Sequence, residues 1–309
     1  MPYQIAALLA ATCWSLSSLI LAEPVRRLGG PRFCRLRMLY VSFALLIISI
    51  FRNQWETIEI GDFWLITLSA IVGLVVGDIG LFTAMARIGP RRTSVLFTTN
   101  APMATVGGVL LFDEVLRSWA LLGAVLTVLG VMLAVNYGTN QDVKDSVFEK
   151  VDGSLKVGAF WASLGAFGQA IGALAAKPVL DHGADTLTVA TLRVLIATPL
   201  MWLLANPTDK LASAPEKEPV ANMDWLKLVA SGTLAMVLGM SFLLYAIGNG
   251  DTGIASILGG TTPVIMLPLL WIATRRAPAL GAWVGAILSI FGIALMLSLI
   301  HISEPTRPY

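Results

Sequence analysis

Charge is scarce in this chain. Only 13% of its 309 residues are Asp, Glu, Lys or Arg, whereas 56% are hydrophobic and the mean hydropathy is +0.78. Soluble domains average about 25% charged and about 45–50% apolar residues, so the composition argues against a water-soluble globule. The net charge is only +2, which leaves no basic surplus to bind nucleic-acid phosphates. We expect no nucleic-acid partner.

Residues for metal, redox or catalytic chemistry are also few. The chain has two cysteines, Cys13 and Cys34, and two histidines, His182 and His301. They form neither a metal-ligand pattern nor a disulfide framework. No Ser, His and Asp set or pair of carboxylates lies at membrane depth, which disfavours a lipid-modifying enzyme. A phosphate-binding Gly-x-x-x-x-Gly-Lys-Ser/Thr loop is absent, so we expect no ATP hydrolysis. We therefore predict no cofactor, no metal and no enzyme activity.

Long apolar runs are what the chain has in abundance. A helix that crosses a bilayer needs about 20 apolar residues. Charged residues and Gly, Pro or Asn divide the sequence into ten runs of about that length. The runs are 4–22, 33–51, 62–87, 92–112, 118–137, 155–179, 186–204, 223–248, 252–272 and 278–297. The sequence therefore predicts an all-α membrane protein with ten transmembrane helices.

The two ends of the chain are interpreted separately. No Lys or Arg precedes the first apolar stretch, from Ile5 to Leu21. A cleaved signal needs that basic segment, so we expect this stretch to remain as a spanning helix. The last residues, 297–309, resemble a translated sequencing adapter, and we interpret 298–309 as an artefact of it.

Landmark residues recur in the same order in the two halves of the chain, and the spacing between copies grows only from 154 to 162 residues. Steady spacing of this kind indicates an internal repeat. With five runs in each copy, an odd number, the second copy must enter the membrane from the opposite side. We predict two inverted repeats, 1–138 and 155–297, joined by a polar linker, 139–154; such repeats are mainly a transporter architecture. The matched landmarks are Ala22-Glu23-Pro24-Val25 with Ala176-Lys177-Pro178-Val179, Gly29 with Gly183, Leu36-Arg37 with Leu192-Arg193, Trp64-Leu65 with Trp225-Leu226, Gly89 with Gly250, Pro102 with Pro263, and Gly123 and Gly130 with Gly285 and Gly292.

Each half resembles one EamA unit of the drug/metabolite transporter superfamily. In the first half the resemblance rests on Arg37, Gly73, Gly77-Asp78, Phe82, Ala84, Gly89, Pro102, Glu114, Gly123 and Gly130. The second half departs from the pattern, because Arg275 and Arg276 stand near the counterpart of Glu114. The resemblance implies a transporter of small molecules, with both termini in the cytoplasm.

Asp78 is the one acidic residue well inside an apolar run. A carboxylate at membrane depth should face the interior of the helix bundle or a wet cavity. One hypothesis is that Asp78 couples proton movement to transport or contacts the substrate. The alternative is a hydrogen bond to a neighbouring helix, because Gly73, Gly77 and Gly80 allow close approach.

Two other groups of polar residues lie inside the apolar runs. Arg37 and Arg193 occupy matching positions about a turn inside their helices. A scaffold role, with the side chains snorkelling to the headgroups, is the favoured interpretation, and Arg37 is an alternative anion contact. Trp14, Ser18 and, by the repeat, Gln169 either line a central cavity or pack between helices.

Prolines mark the candidate hinges. Pro102 and Pro263 each remove a backbone hydrogen bond and so free a carbonyl one turn upstream, where polar residues lie. Thr99, Asn100 and Thr262 can satisfy the freed carbonyls or meet a substrate, and Tyr245 can offer an aromatic face to an organic cation.

The connections after odd-numbered runs hold fifteen Lys and Arg, against three on the other side. The positive-inside rule then places the N-terminus outside, whereas the resemblance places it inside; both orientations stay open.

We predict an integral protein of the bacterial cytoplasmic membrane, a monomer or homodimer. Its predicted function is secondary active export of small metabolites or amphipathic compounds by alternating access, with protons as a candidate coupling ion. A passive channel is the alternative.

Overall fold

The computed structural model describes residues 1–112, 118–137, 148, 150–212, 219–248 and 258–298. These residues form helices and connections, with no β-strand among them. The helices, in chain order, are α1 (Tyr3–Ile20), α2 (Ala22–Leu28), α3 (Gly30–Arg52), α4 (Phe63–Ser69), α5 (Gly77–Phe97), α6 (Asn100–Phe112), α7 (Ser118–Tyr137), α8 (Leu155–Asp181), α9 (Thr186–Leu203), α10 (Ala205–Leu211), α11 (Asn222–Gly232), α12 (Met240–Gly248), α13 (Thr262–Thr274) and α14 (Leu280–Ser298).

Six helical stretches of the described chain are long and apolar enough to cross a membrane. They are Tyr3–Ile20, Gly30–Arg52, Ile60–Phe97, Leu155–Asp181, Thr186–Leu203 and Asn222–Leu243, and shorter apolar helices occur at Val125–Ala134, Thr262–Thr274 and Leu280–Leu295. Hydrophobic side chains cover much of the outer surface of these helices, as lipid contact requires. The chain is an integral membrane protein of helical class.

Glycines in the left-handed region end or kink helices at the positions that the repeat marked. Gly29, between α2 and α3, has φ 78°, and its repeat partner Gly183, after α8, has φ 94°. Gly89 has φ 81° and is followed by Pro90, so α5 is kinked there. A side chain with a Cβ rarely adopts this conformation, which explains why glycine stands at these turns.

Each half of the chain contains one π-helical segment at an equivalent place. The first, Ala70–Val76, joins α4 to α5, and the second, Thr233–Gly239, joins α11 to α12. A π-helix widens the turn and is frequent at functional sites. In the first half the segment leads directly into Asp78, at the second position of α5.

The main helix contacts obey what we call the exchange rule: when each helix is replaced by its counterpart in the other half, the same set of contacts results. The α1 helix packs on the second π-segment, α12 and α13, while α8, its counterpart, packs on the first π-segment, α5 and α6. The pairs α3 with α9 and α7 with α14 join counterparts directly. Every one of these contacts has a partner when the two halves are exchanged.

Small residues let α7 and α14 pack closely. A Cβ on Gly130 would lie 2.5 Å from the Ser289 backbone nitrogen, and one on Gly292 would lie 2.5 Å from the Gly123 carbonyl oxygen. These glycines serve helix packing, as small residues do between membrane helices. Most of the predicted linker 139–154, the C-terminal segment 299–309 and Glu114 lie outside the described residues.

Candidate functional site

Asp78 lies at the centre of the buried polar groups. Its side chain is only 3% exposed, and its Oδ1 accepts a hydrogen bond of 2.8 Å from Nε2 of Gln169 on α8. The second carboxylate oxygen, Oδ2, is buried and has no hydrogen-bond partner among the described residues. The hydrogen bond to a neighbouring helix is therefore present, and it satisfies only half of the carboxylate.

The two repeat-related arginines approach the turns before and after Asp78 from different helices, Arg193 beside Gly73 and Arg37 beside Phe82. Arg37 on α3 and Arg193 on α9 both interact electrostatically with Asp78, although no ion pair within 4 Å joins either of them to it in the described chain. The guanidinium carbon of Arg37 lies 5.1 Å from the centre of the Phe82 ring, a cation–π contact. Arg37 is 4% exposed, so the snorkelling interpretation is wrong for this residue.

We call Asp78, Gln169, Arg37 and Arg193 the Asp78 cluster. Both arginine Nε atoms are buried without a hydrogen-bond partner in the described residues. The cluster holds two cations and one carboxylate, so one positive charge is not balanced within it. Buried ionic groups are stable only when they are paired and hydrogen-bonded, and these are incompletely paired.

Glycines explain how Gln169 reaches Asp78. A Cβ on Gly168 would lie 2.7 Å from the Val72 carbonyl oxygen and 2.9 Å from the Gly77 Cα, and one on Gly80 would lie 2.8 Å from the Gly165 backbone nitrogen. The α5 and α8 backbones are thus nearly in contact. Gly73 leaves room for Arg193, whose Nη2 would lie 2.8 Å from a Cβ there.

The corresponding interface of α1 is filled differently. The indole Nε1 of Trp14 donates to the Ala235 carbonyl at 3.0 Å, and a Cβ on Gly239 would lie 2.8 Å from that same Nε1. Ser15 donates to the Thr262 carbonyl of α13, and Ser18 donates within its own helix. Trp14 and Ser15 therefore bond across helix contacts, whereas the Ser18 hydroxyl bonds only within α1.

The threonine hydroxyls before the prolines donate hydrogen bonds to backbone carbonyls where the helices are interrupted. Before α6, the Thr99 hydroxyl donates to the Leu96 carbonyl at 2.7 Å, and before α13 the Thr261 hydroxyl donates to the Leu258 carbonyl at 2.6 Å. The Thr262 hydroxyl donates to the Gly259 carbonyl. Asn100 is the first residue of α6, and Pro102 and Pro263 are buried just inside α6 and α13.

Tyr245 lies away from the Asp78 cluster. It lines a cavity of about 340 Å³ between α3, α9 and the second π-segment with α12, together with Arg52 and Ser241. Its hydroxyl donates to the Met1 carbonyl at 3.2 Å. Tyr245 therefore belongs to the surface at one end of the helices.

Ion pairs occur at both ends of the helices; Arg52, which lines the same cavity as Tyr245, pairs with Asp185, and further pairs lie at the opposite end. Arg35 makes a bidentate pair with Asp209 at 2.8 and 2.9 Å, and Glu23 pairs with Lys227. The hydrogen bond and charge of Lys227 lower the pKa of Glu23 below its usual value. Carboxylates thus accompany the cations at this end.

The structure groups three of the sequence-predicted site residues, Asp78, Gln169 and Arg37, and separates the rest. It adds Arg193, which the site prediction omitted. The signal for Arg193 was its repeat match to Arg37, since equivalent residues of two related halves can meet at their shared interface.

A family model described as the EamA-like transporter family matches residues 1–136 and 156–298. No curated protein matches the chain. One protein crystal structure resembles it with a TM-score of 0.65 and 19% identity, over 98% of this chain and 99% of that one. At that identity the likeness shows the fold alone.

Proposed function

The chain belongs to the EamA-like transporter family, and from this we propose that it is a secondary active transporter of a small solute that works by alternating access. Members of this family are membrane transporters. The observation that carries the mechanism is the Asp78 cluster, a charged and incompletely paired site buried where helices of the two halves meet.

We further propose ten membrane spans arranged as two inverted halves, 1–138 and 155–297, joined by the segment 139–154. The exchange rule in the helix contacts supports this arrangement, because a two-fold relation between halves produces such pairs. Two equivalent π-segments support it as well. With five spans per half, the two-fold axis lies in the membrane plane and the site lies near the midplane.

Asp78 is the coupling residue in this mechanism. Its Oδ2 is free to take up a proton, and Gln169 holds the carboxylate in place through Oδ1. Thr99, Thr261 and the prolines after them supply hinges, because the hydroxyl bonds stabilise a break that bends without exposing carbonyls. We assign the direction of transport as export across a bacterial cytoplasmic membrane.

The experiment is transport in proteoliposomes with an imposed pH gradient and a panel of metabolites and amphipathic solutes. We expect saturable flux of at least one solute that responds to the gradient. Asp78→Asn should remove that response, while the matched control Asp181→Asn, at an exposed carboxylate, should keep it. Flux linear in solute concentration would indicate a channel, and an unchanged pH response in Asp78→Asn would remove Asp78 from coupling.

A further inference from the structure

Two arginines on α3, only two residues apart, have opposite surroundings. Arg35 is neutralised by Asp209 through two hydrogen bonds. Arg37 is equally buried, yet within the described residues it has no hydrogen bond or ion pair, and its near contact is the Phe82 ring. The chain therefore balances one buried guanidinium with a carboxylate and leaves the next one available.

Arg193, like Arg37, lacks a carboxylate that pairs with it directly in the part of the chain that the structure describes. Its Nη2 lies beside Gly73, about one turn before Asp78, and its Nε is buried without a hydrogen-bond partner among the described residues. A buried charge that is not paired destabilises the fold. Retaining two such cations beside one carboxylate is costly unless a second anion joins them during the transport cycle.

We propose that the Asp78 cluster binds the carboxylate of a monoanionic organic solute between Arg37 and Arg193, which makes this group the substrate's recognition element. This inference rests on the proposed transport function and names its substrate class. The guanidinium of arginine presents a planar fork of donors that matches a carboxylate in geometry.

The charge count favours a monoanion. One carboxylate brings the cluster to neutrality, whereas a dianion such as a phosphate monoester leaves one negative charge in an apolar core. The surrounding side chains are apolar or aromatic, including Phe82 and Phe33, which contact each other edge to face. They suit an apolar body attached to the carboxylate.

The test measures binding rather than transport. The purified chain in lipid nanodiscs is heated with matched acids and amides: acetate and acetamide, benzoate and benzamide, phenylacetate and phenylacetamide. We expect at least one acid to raise the unfolding temperature at a concentration where its amide does not. The proposal is overturned if no acid does so, or if acid and amide act equally.

Variants that change the charge count make the test specific. Arg37→Gln should weaken binding of the stabilising acid by about tenfold or more, and Arg37→Gln combined with Asp78→Asn should recover it, because one net positive charge returns. Arg35→Gln is the matched control; it should lower the unfolding temperature but keep the preference for acid over amide. An Arg37→Gln protein with unchanged preference would contradict the proposal.

If Arg37→Gln does not fold, Asp78→Asn alone decides. It leaves both cations unopposed and keeps the shape of the side chain, so the acid should bind more tightly than to the parent, and weaker binding would contradict us. Acid binding without any flux in proteoliposomes would defeat the transport proposal but not this one. If the protein transports neutral or cationic solutes but does not bind acids, the carboxylate proposal fails and the transport proposal stands.

Discussion

The interface of α8 with α5 and the interface of α1 with the second π-segment and α12 are counterparts, yet they contain different chemistry. In the first, Gly168 lies against Gly77 and Gln169 donates to Asp78. In the second, Trp14 fills the space beside Gly239, and its indole donates to a backbone carbonyl. One interface is tight and charged, and the other is filled by a neutral aromatic ring.

The difference teaches that the repeat preserves the scaffold and not the site. Turn glycines, π-segments and threonine-bonded helix breaks occur in both halves. The acid occurs once, since Gly239 and Met240 stand at the positions that correspond to Asp78. The arginines of the two halves lie beside the turns that flank this single acid, Arg193 at Gly73 and Arg37 at Phe82, so two similar halves build one asymmetric centre.

The largest effect should come from closing the tight interface. Gly168→Ala places a methyl group against backbone atoms of α5, which cannot move aside, so we expect a loss of about 3 kcal/mol in the free energy of unfolding. Gly239→Ala is the matched control, because its methyl meets the movable Trp14 side chain, and it should cost less. Unfolding by denaturant in mixed micelles measures both. Equal losses would show that the two interfaces are equally tight.

The next effect concerns the polar contact itself. Gln169→Leu removes the donor to Asp78 Oδ1 and leaves the buried carboxylate without a hydrogen bond. We expect a loss of about 2 kcal/mol, measured by the same unfolding assay. Gln169→Glu is informative beside it, because a second acid would bring the two arginines and Asp78 to zero net charge, and it should cost less than Gln169→Leu. A neutral result for Gln169→Leu would mean that the hydrogen bond has no structural weight.

On the aromatic side, Trp14→Phe keeps a ring beside Gly239 but removes the donor to the Ala235 carbonyl. The expected loss is about 1 kcal/mol, the usual net value of one hydrogen bond. Trp14→Ala should cost considerably more, because it also empties the space. Similar losses in the two variants would assign the stability to the hydrogen bond rather than to packing.

The smallest effect should be shared equally by the halves. Thr99→Val and Thr261→Val each remove one hydroxyl bond to a carbonyl at a helix break, and each should cost about 0.5 kcal/mol. Thermal unfolding in detergent measures the pair side by side. A large loss of stability in only one of the two variants would show that the two helix breaks are not equivalent.

The sequence predicted the helical membrane class and the family, because apolar runs and repeated landmark residues are visible in the order of residues along the chain. It singled out Asp78 for the same reason, since a lone acid in an apolar run is visible without a structure. The direction of the Arg37 side chain was not predictable: its depth in the helix suits snorkelling, and only the packing of α3 on α5 and α9 turns it inward. Propensities carry no signal for the π-segments, each of which packs on helices of the other half.

The antiparallel arrangement of the two halves is the claim on which the transport account depends. Asn53, directly after α3, and Asn206, at the second position of α10, are exposed and follow the second predicted span of each half. In a background with Cys13 and Cys34 replaced by alanine, Asn53→Cys and Asn206→Cys should each react with a membrane-impermeant maleimide from one side of the membrane, and from opposite sides. Labelling of both cysteines from the same side would contradict inverted halves and, with them, the account.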